Sequence, residues 1–355
     1  MKKRLEVIKM FQYEEILKMQ KPYELFKGDL KEAKQTYIEL MKIYHPDLHK
    51  GDNSYIEVTS KINSLYKEAI EELENGRWIE PNFIKLKGNN NKNYSMKFKI
   101  SHEFELGNMY VGNNSIMYLL DAENSDLIEN ALNVLKNLKY ENEEMKKEFK
   151  KYLPKVITTF ETKDEKMGLV IEKDEELICL KDIWMYFNKK MDARSVTWIL
   201  SSLYNIACFL NYNEIAHNGI TINNYLICPK NHSGALLGGW WYSKKLKEKM
   251  IGVSSELYDV MPHSVKDSKE SSAILDLEGI RLIGRTLLGD ESGIQLAFDK
   301  EIPKPLSSWL REISVSNPFE EYSRWNDVII KSFGERKFIE MKIDKEKLYE
   351  SLGGN

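Results

Sequence analysis

Apolar residues recur three or four apart along two stretches near the N-terminus, and that spacing predicts two amphipathic helices. Leu30, Ala33, Tyr37, Leu40 and Tyr44 share one face behind Asp29-Leu30-Lys31-Glu32, which reads as a capping box. Val58, Ile62, Leu65, Tyr66, Ala69, Ile70 and Leu73 form a second stripe behind Ser54-Tyr55-Ile56-Glu57, a second such box. Pro46 biases His45 away from the α region, so the first helix should stop at about Tyr44. The two stripes can pack as an antiparallel hairpin with His45-Pro46-Asp47 exposed at its tip. Before them, Val7, Met10, Phe11, Ile16 and Met19 give residues 1–20 a shorter helical pattern.

After Trp78 the periodicity is lost. Pro81 and the run Gly88-Asn89-Asn90-Asn91-Lys92-Asn93 read as a linker over residues 79–95, with first proteolytic cleavage expected within Gly88 to Asn93. From Met96 the period becomes two: Met96, Phe98 and Ile100, then Phe104 and Leu106, alternate with polar residues as in a half-buried strand. Further strands are predicted at Ser115–Leu120, Gly168–Ile171 and Leu177–Leu180, with a helix over Asp126–Lys139. Asp192 can cap a helix whose apolar face includes Val196, Ile199, Leu200, Leu203, Ile206, Ala207 and Leu210. Strands around one helix followed by helices suggest an α+β lobe and then an α-rich lobe.

Composition narrows the class without choosing a function. A net charge of -3 over 355 residues gives no global drive toward nucleic acid or an anionic membrane. The run Lys244–Lys249 reads as a solvated face. Cys179, Cys208 and Cys228 are an odd number in apolar surroundings without Cys-x-x-Cys spacing, so reduced buried thiols in a cytoplasmic protein are expected. The histidines lack metal-ligand spacing, and neither a metal nor another cofactor is expected. No signal-like apolar segment follows Met1-Lys2-Lys3-Arg4, and Val196–Leu210 is too short to span a bilayer.

The N-terminal stretches carry a resemblance. Lys21-Pro22-Tyr23-Glu24-Leu25-Phe26, the helix ending in Ile43-Tyr44-His45-Pro46-Asp47, and Lys61-Ile62-Asn63-Ser64-Leu65-Tyr66-Lys67-Glu68-Ala69 together resemble the J domain of DnaJ-type co-chaperones over roughly residues 10 to 78. The resemblance implies that His45, Pro46 and Asp47, with Lys34 and Tyr37 on the preceding helix, dock on a DnaK-type heat-shock chaperone and stimulate its ATP hydrolysis. Ile38 and Glu39 stand where basic residues are common in that family, and Leu48 follows the tripeptide where Lys or Arg is usual. Fewer cations mean weaker electrostatic steering.

Residues 95 to 340, roughly, resemble the protein kinase fold by position more than by letter. His217 fits the histidine of the catalytic loop, Asn218 sits in place of its arginine, Gly219 in place of the catalytic aspartate, and Asn224 where the magnesium-binding asparagine belongs. With Trp240 at the phenylalanine of Asp-Phe-Gly, Gly239 replaces the metal-binding aspartate. The strand Ile116-Met117-Tyr118-Leu119-Leu120 has no lysine for the phosphates, and Leu106–Gly112 is a poor phosphate cradle. Leu275-Asp276-Leu277-Glu278 resembles the helix whose buried aspartate ties down the catalytic-loop backbone, which makes Asp276 a candidate structural anchor.

The chain is therefore expected to be mainly α with an α+β part. A J-like helical hairpin over 1–78 precedes the linker 79–95, a β-rich kinase-like N-lobe over 96–175 and a larger α-rich C-lobe with a C-terminal extension over 176–355. The leading expectation is a non-catalytic co-chaperone or adaptor whose pseudokinase domain holds a protein client. An adaptor with an inactive J domain remains open, as does an atypical kinase using displaced carboxylates such as Asp121 or Glu278.

Overall fold

Helix-forming segments close the N-terminal unit around a small apolar core. The computed structural model describes residues 12–49, 52, 54–78, 80–314, 317–335 and 340–353. The chain divides into two units, Met1–Phe83 and Ile84–Asn355. In the first, α1 (Tyr13–Lys18), α2 (Leu30–Tyr44) and α3 (Ser54–Glu74) bury Ile16, Ala33, Leu40, Val58, Ile62 and Ala69 completely. Each large aliphatic side chain so buried stabilises the unit by roughly 1.5–3 kcal/mol. Of the helical pattern read over residues 1–20, Val7, Met10 and Phe11 lie outside the described residues, and Ile16 is a core residue of α1.

The start of α2 is set by Asp29, whose Oδ1 accepts the N–H groups of Lys31 and Glu32 at 2.9 and 3.0 Å. At α3 the capping differs from the sequence expectation. The carboxylate of Asp52, not the hydroxyl of Ser54, does the work: its Oδ1 accepts the Ser54 N–H at 3.0 Å and the Ser54 hydroxyl at 2.6 Å. An anionic acceptor is the stronger partner for unpaired donors at a helix start, and these bonds hold the Asp52 carboxyl below its usual range.

The stretch 79–95 is not the open linker that its composition suggests. Strands β1 (Phe83–Lys87) and β2 (Asn93–Lys97) pair as a hairpin. Its turn is Gly88–Lys92, with Asn91 at φ 60° and the Asn90 side chain accepting the Lys92 N–H. The hairpin is also tied to a later turn. Gly88 bridges Thr162, and the Asn89 N–H donates to the Glu161 carbonyl. Glycine and asparagine tolerate the left-handed backbone a tight hairpin needs, so one composition serves both a turn and a linker.

The period-two stretch from Met96 also splits. β2 ends at Lys97, and β3 (Ile100–Phe104) belongs to another sheet. With β4 (Gly107–Val111), β5 (Ser115–Asp121), β6 (Lys155–Glu161) and β7 (Lys166–Glu172) it forms a five-stranded antiparallel sheet in the order β3-β4-β5-β7-β6. Helices α4 (Ser125–Lys136) and α5 (Glu143–Lys150) lie between β5 and β6 in the chain.

A helical part follows. Short β8 (Ile178–Cys179) leads into α6 (Leu180–Tyr186) and the long, largely buried α7 (Ala193–Tyr212), capped by Asp192 as its sequence predicts. Small strands β9 (Ile215–Ala216), β10 (Tyr225–Cys228), β11 (Ser233–Leu236) and β12 (Lys244–Lys245) shape the loops after it. Then come α8 (His263–Ser268), α9 (Ala273–Leu287), α10 (Lys304–Arg311), α11 (Pro318–Phe333) and α12 (Lys345–Ser351). The second unit is thus a mixed α/β body with a sheet-rich part and a helical part that share a hydrophobic core.

Inside the helical part, Arg281 is wholly buried and satisfied. Its guanidinium donates to Glu321 Oε2 at 2.8 Å, to the Ser314 hydroxyl at 2.8 Å and to the Trp309 carbonyl, and lies over the Trp309 ring. A buried charge is tolerable only with such a set of partners. All three cysteines are buried free thiols. No helix among the described residues is long and apolar enough to cross a membrane.

Candidate functional site

In the first unit the tripeptide forms a tight corner. His45 leaves the helix with ψ 130°, and Pro46–Leu48 make one 3₁₀ turn. The His45 ring faces its own loop: Nδ1 accepts the Asp47 N–H at 3.2 Å. The Asp47 side chain stays 84% exposed, so the corner presents a carboxylate to solvent. The corner is held from behind by the buried Thr59 hydroxyl, which donates to the Tyr44 carbonyl at 2.7 Å, and by His49, stacked on Tyr55 with its Nε2 2.8 Å from the Ile43 carbonyl. Tyr37 is committed to the hairpin. It stacks on Tyr66 at 4.1 Å and donates its hydroxyl to Asn63 Oδ1 at 2.8 Å. Lys34 lies with Lys31, Lys42 and the 44%-exposed Ile38 on a shallow outer depression of α2.

In the second unit the structure brings His217, Gly219, Asn224, Gly239 and Asp276 together in one knot of loops. Asp276, buried in the first turn of α9, accepts the His217 N–H through Oδ2 at 2.7 Å and the Asn218 N–H through Oδ1 at 2.8 Å. Those are the bonds of a backbone anchor. Burial pushes its pKa up to about 7 while the two N–H donors pull it down. Asn218 adopts φ 57° and is held by its amide, which donates to the Tyr242 carbonyl and the Ser271 hydroxyl. The His217 ring is fully buried edge-on to Trp240, and burial lowers its pKa to about 3, leaving it neutral.

The Asn224 side-chain NH2 donates to the Gly219 carbonyl at 2.9 Å, and the Asn224 backbone carbonyl accepts the N–H groups of both Leu237 and Gly238. Gly239 has φ 79°, and a Cβ there would meet Asn224 Nδ2 and His217 Cε1 at 2.7 Å and the Gly219 carbonyl oxygen at 3.0 Å. A side chain at this position can be fitted only if these neighbours shift. Neither displaced carboxylate faces this knot: Asp121 pairs with Lys166 at the end of β5, and Glu278 accepts the Ser314 N–H. Among the described residues no group of three or more His, Cys, Asp or Glu is placed to hold a metal ion.

The space between the β3–β4 turn and these loops is filled by aromatic rings. Trp241, 1% exposed, stands edge-on to Tyr118 at 5.0 Å and lies 5.7 Å from Phe104. The turn is latched from above by Glu105, whose Oε1 accepts the Tyr242 hydroxyl at 2.8 Å and the Ser254 hydroxyl at 3.3 Å. From the other side, the Asn130 amide on α4 donates to the Trp241 and Ser243 carbonyls. What remains is a cavity of about 20 Å³ lined by Phe104, Glu105, Met109, Tyr118, Asn224 and Trp241, with His102 and Glu103 beside them. His102 Nε2 lies 2.9 Å from the buried Asp182. Such a space holds roughly one water-sized group, since about 10–15 Å³ on this measure is needed for a water.

Sequence reasoning located the loop residues but missed the ring cluster. Its only trace was Tyr118 in a strand without lysine and the aromatic run Trp240-Trp241-Tyr242. The second unit's positions 104, 118 and 241 are brought together only by folding.

A crystal structure of the BubR1 kinase domain is similar to this chain at a TM-score of 0.49 and 13% sequence identity, covering 81% of this chain and 94% of that one. No protein-family model matches the chain, and no curated protein matches it.

Proposed function

We propose that the chain is a non-catalytic adaptor of the J-domain type, which recruits and stimulates a DnaK-type heat-shock chaperone through His45-Pro46-Asp47, and that its second unit is a kinase-like domain without phosphoryl transfer that holds a protein client. The observation that supports the first half is the corner itself: the tripeptide sits between two packed, capped helices with Asp47 in solvent and Lys34 on the neighbouring face. A rigid loop tip of this kind is suited to docking.

The second half is supported by what fills the cleft. Phosphoryl transfer needs a positioning carboxylate and magnesium ligands against the phosphates. Here glycines stand at 219 and 239, a side chain at 239 would crowd Asn224, His217 and the Gly219 carbonyl, and Trp241 and Tyr118 pack edge-on between the β3–β4 turn and these loops. The adaptor acts in this reading by binding alone.

The test is single-turnover ATP hydrolysis by a DnaK-type chaperone with the full chain added. Wild type should accelerate hydrolysis, and Asp47→Asn should abolish the acceleration with unchanged circular dichroism, because the Asp47 side chain supports no part of the core. His45→Gln should do the same while also loosening the 3₁₀ turn. Equal acceleration by wild type and Asp47→Asn overturns the reading. Exposed Leu48 and Ile38 favour one second reading, an adaptor whose corner binds weakly and no longer activates. Failure of the wild type to stimulate, with binding retained, would select it.

A further inference from the structure

The small cavity under the β3–β4 turn has the character of a cation site. Its lining includes two carboxylates on residues exposed at its rim, Glu103 and Glu105, and no lysine or arginine. A slot built for phosphates would carry the opposite charge. Three of its walls are aromatic, Phe104, Tyr118 and Trp241, and electron-rich rings attract cations, most strongly where water is excluded.

A second, independent feature points to a ligand. The Tyr118 hydroxyl belongs to a residue only 2% exposed, lines the cavity, and has no hydrogen-bond partner among the described residues. Burial raises its pKa, so it stays a neutral phenol able to accept from a donor. A buried polar atom without a partner is costly unless something fills the site. Glu105 receives Tyr242 and Ser254 through Oε1, which leaves Oε2 for a further donor.

Size then chooses among cations. About 20 Å³ admits one water-sized group, which suits an ammonium and is too small for a planar guanidinium. We infer that this slot binds a protonated primary amine, and that in a protein partner the amine is the tip of a lysine side chain: its N–H groups reach the Tyr118 hydroxyl and the Glu105 carboxylate while the aromatic walls surround the charge. The inference goes beyond the chaperone reading and stands without it.

The test titrates the full chain at constant ionic strength with n-butylammonium, n-butylguanidinium, inorganic phosphate and N-acetyl-lysine-methylamide, reading tryptophan fluorescence and thermal shift. A saturable response to butylammonium and to the lysine derivative is expected, with none to phosphate and a response at least about tenfold weaker to the guanidinium, as loss of a hydrogen bond to a charged group would give. Tyr118→Phe, which removes one oxygen, and Glu105→Gln should each weaken amine binding about tenfold. Absence of saturable amine binding up to tens of millimolar overturns the inference, as does an equal response to guanidinium or phosphate. Unchanged affinity in a folded Tyr118→Phe or Glu105→Gln protein does the same. Butylammonium binding without binding of the lysine derivative removes the protein-partner half. The ligand comparison uses wild type alone, so it decides the matter even where a variant does not fold.

Discussion

Adding one methyl group at Gly239 should destabilise the second unit far more than the same change at Gly219. At Gly239 the backbone has φ 79° and ψ -5°, the left-handed region, which costs an L-residue about 1–2 kcal/mol. The new Cβ would also press on Asn224 Nδ2 and His217 Cε1 at 2.7 Å and on the Gly219 carbonyl oxygen at 3.0 Å. The last is backbone, itself held by the Asn224 amide, so it cannot swing away. Overpacking of this kind adds about 1–3 kcal/mol, for a total of roughly 2–5 kcal/mol. At Gly219 the nearest atoms would be Tyr242 Cδ2 at 3.2 Å, the Gly239 carbonyl oxygen at 3.3 Å and His217 Nδ1 at 3.4 Å, without a left-handed backbone. That crowding is mild, and the stiffer unfolded chain returns about 0.4–1 kcal/mol. The assay is thermal unfolding followed by tryptophan fluorescence, which reports mainly the second unit because all tryptophans but Trp78 lie there. Gly239→Ala should melt about 4–20 °C below wild type at about 2–4 °C per kcal/mol, and Gly219→Ala close to it. A Gly239→Ala protein that melts with or above Gly219→Ala would refute the reasoning. The same geometry means that an aspartate cannot be restored at 239 without rebuilding the loop, so Gly219→Asp with Gly239→Asp should yield no phosphoryl transfer.

Two further outcomes follow from the same buried loops and hairpin. His217, with its pKa lowered from 6.5 to about 3, binds fewer protons folded than unfolded between those values, so it makes stability fall as pH drops through that window. Asp276, raised from 3.8 to about 7, binds more protons folded than unfolded and makes stability fall as pH rises through its window. Each slope is about 1.4 kcal/mol per pH unit, and they oppose between 3.8 and 6.5. His217→Gln should remove one of them, so chemical denaturation between pH 4.5 and 6 (roughly the middle of the window) should show the variant gaining stability relative to wild type on acidification; parallel curves would contradict the assignment. Limited trypsinolysis should cut after the exposed Arg77 before Lys92, because the hairpin turn is bridged to Thr162 and Glu161. Early cleavage at Lys92, read by mass spectrometry, would return 88–93 to an open linker.

What the sequence determined by itself is whatever a local rule could specify. Helices α2, α3 and α7 follow from apolar residues three and four apart, a proline stop after Tyr44 and carboxylate caps at Asp29 and Asp192, all acting within a few residues. The positions of His217, Gly219, Asn224 and Gly239 were readable as a pattern, and so was the place of Asp276 on a later helix. The tertiary structure alone decided what those residues touch. A Gly-Asn run has the same local preferences in a linker and in a turn, and only pairing of Phe83–Lys87 with Asn93–Lys97, and of Gly88 with Thr162, makes it a hairpin. The cavity is the extreme case. Phe104, Tyr118 and Trp241 come from a strand end, a central strand and a loop, and no period in the chain links positions so far apart. Whether those rings fill a cleft or line an open one is settled by close packing, which depends on every neighbour at once and on no single stretch of sequence.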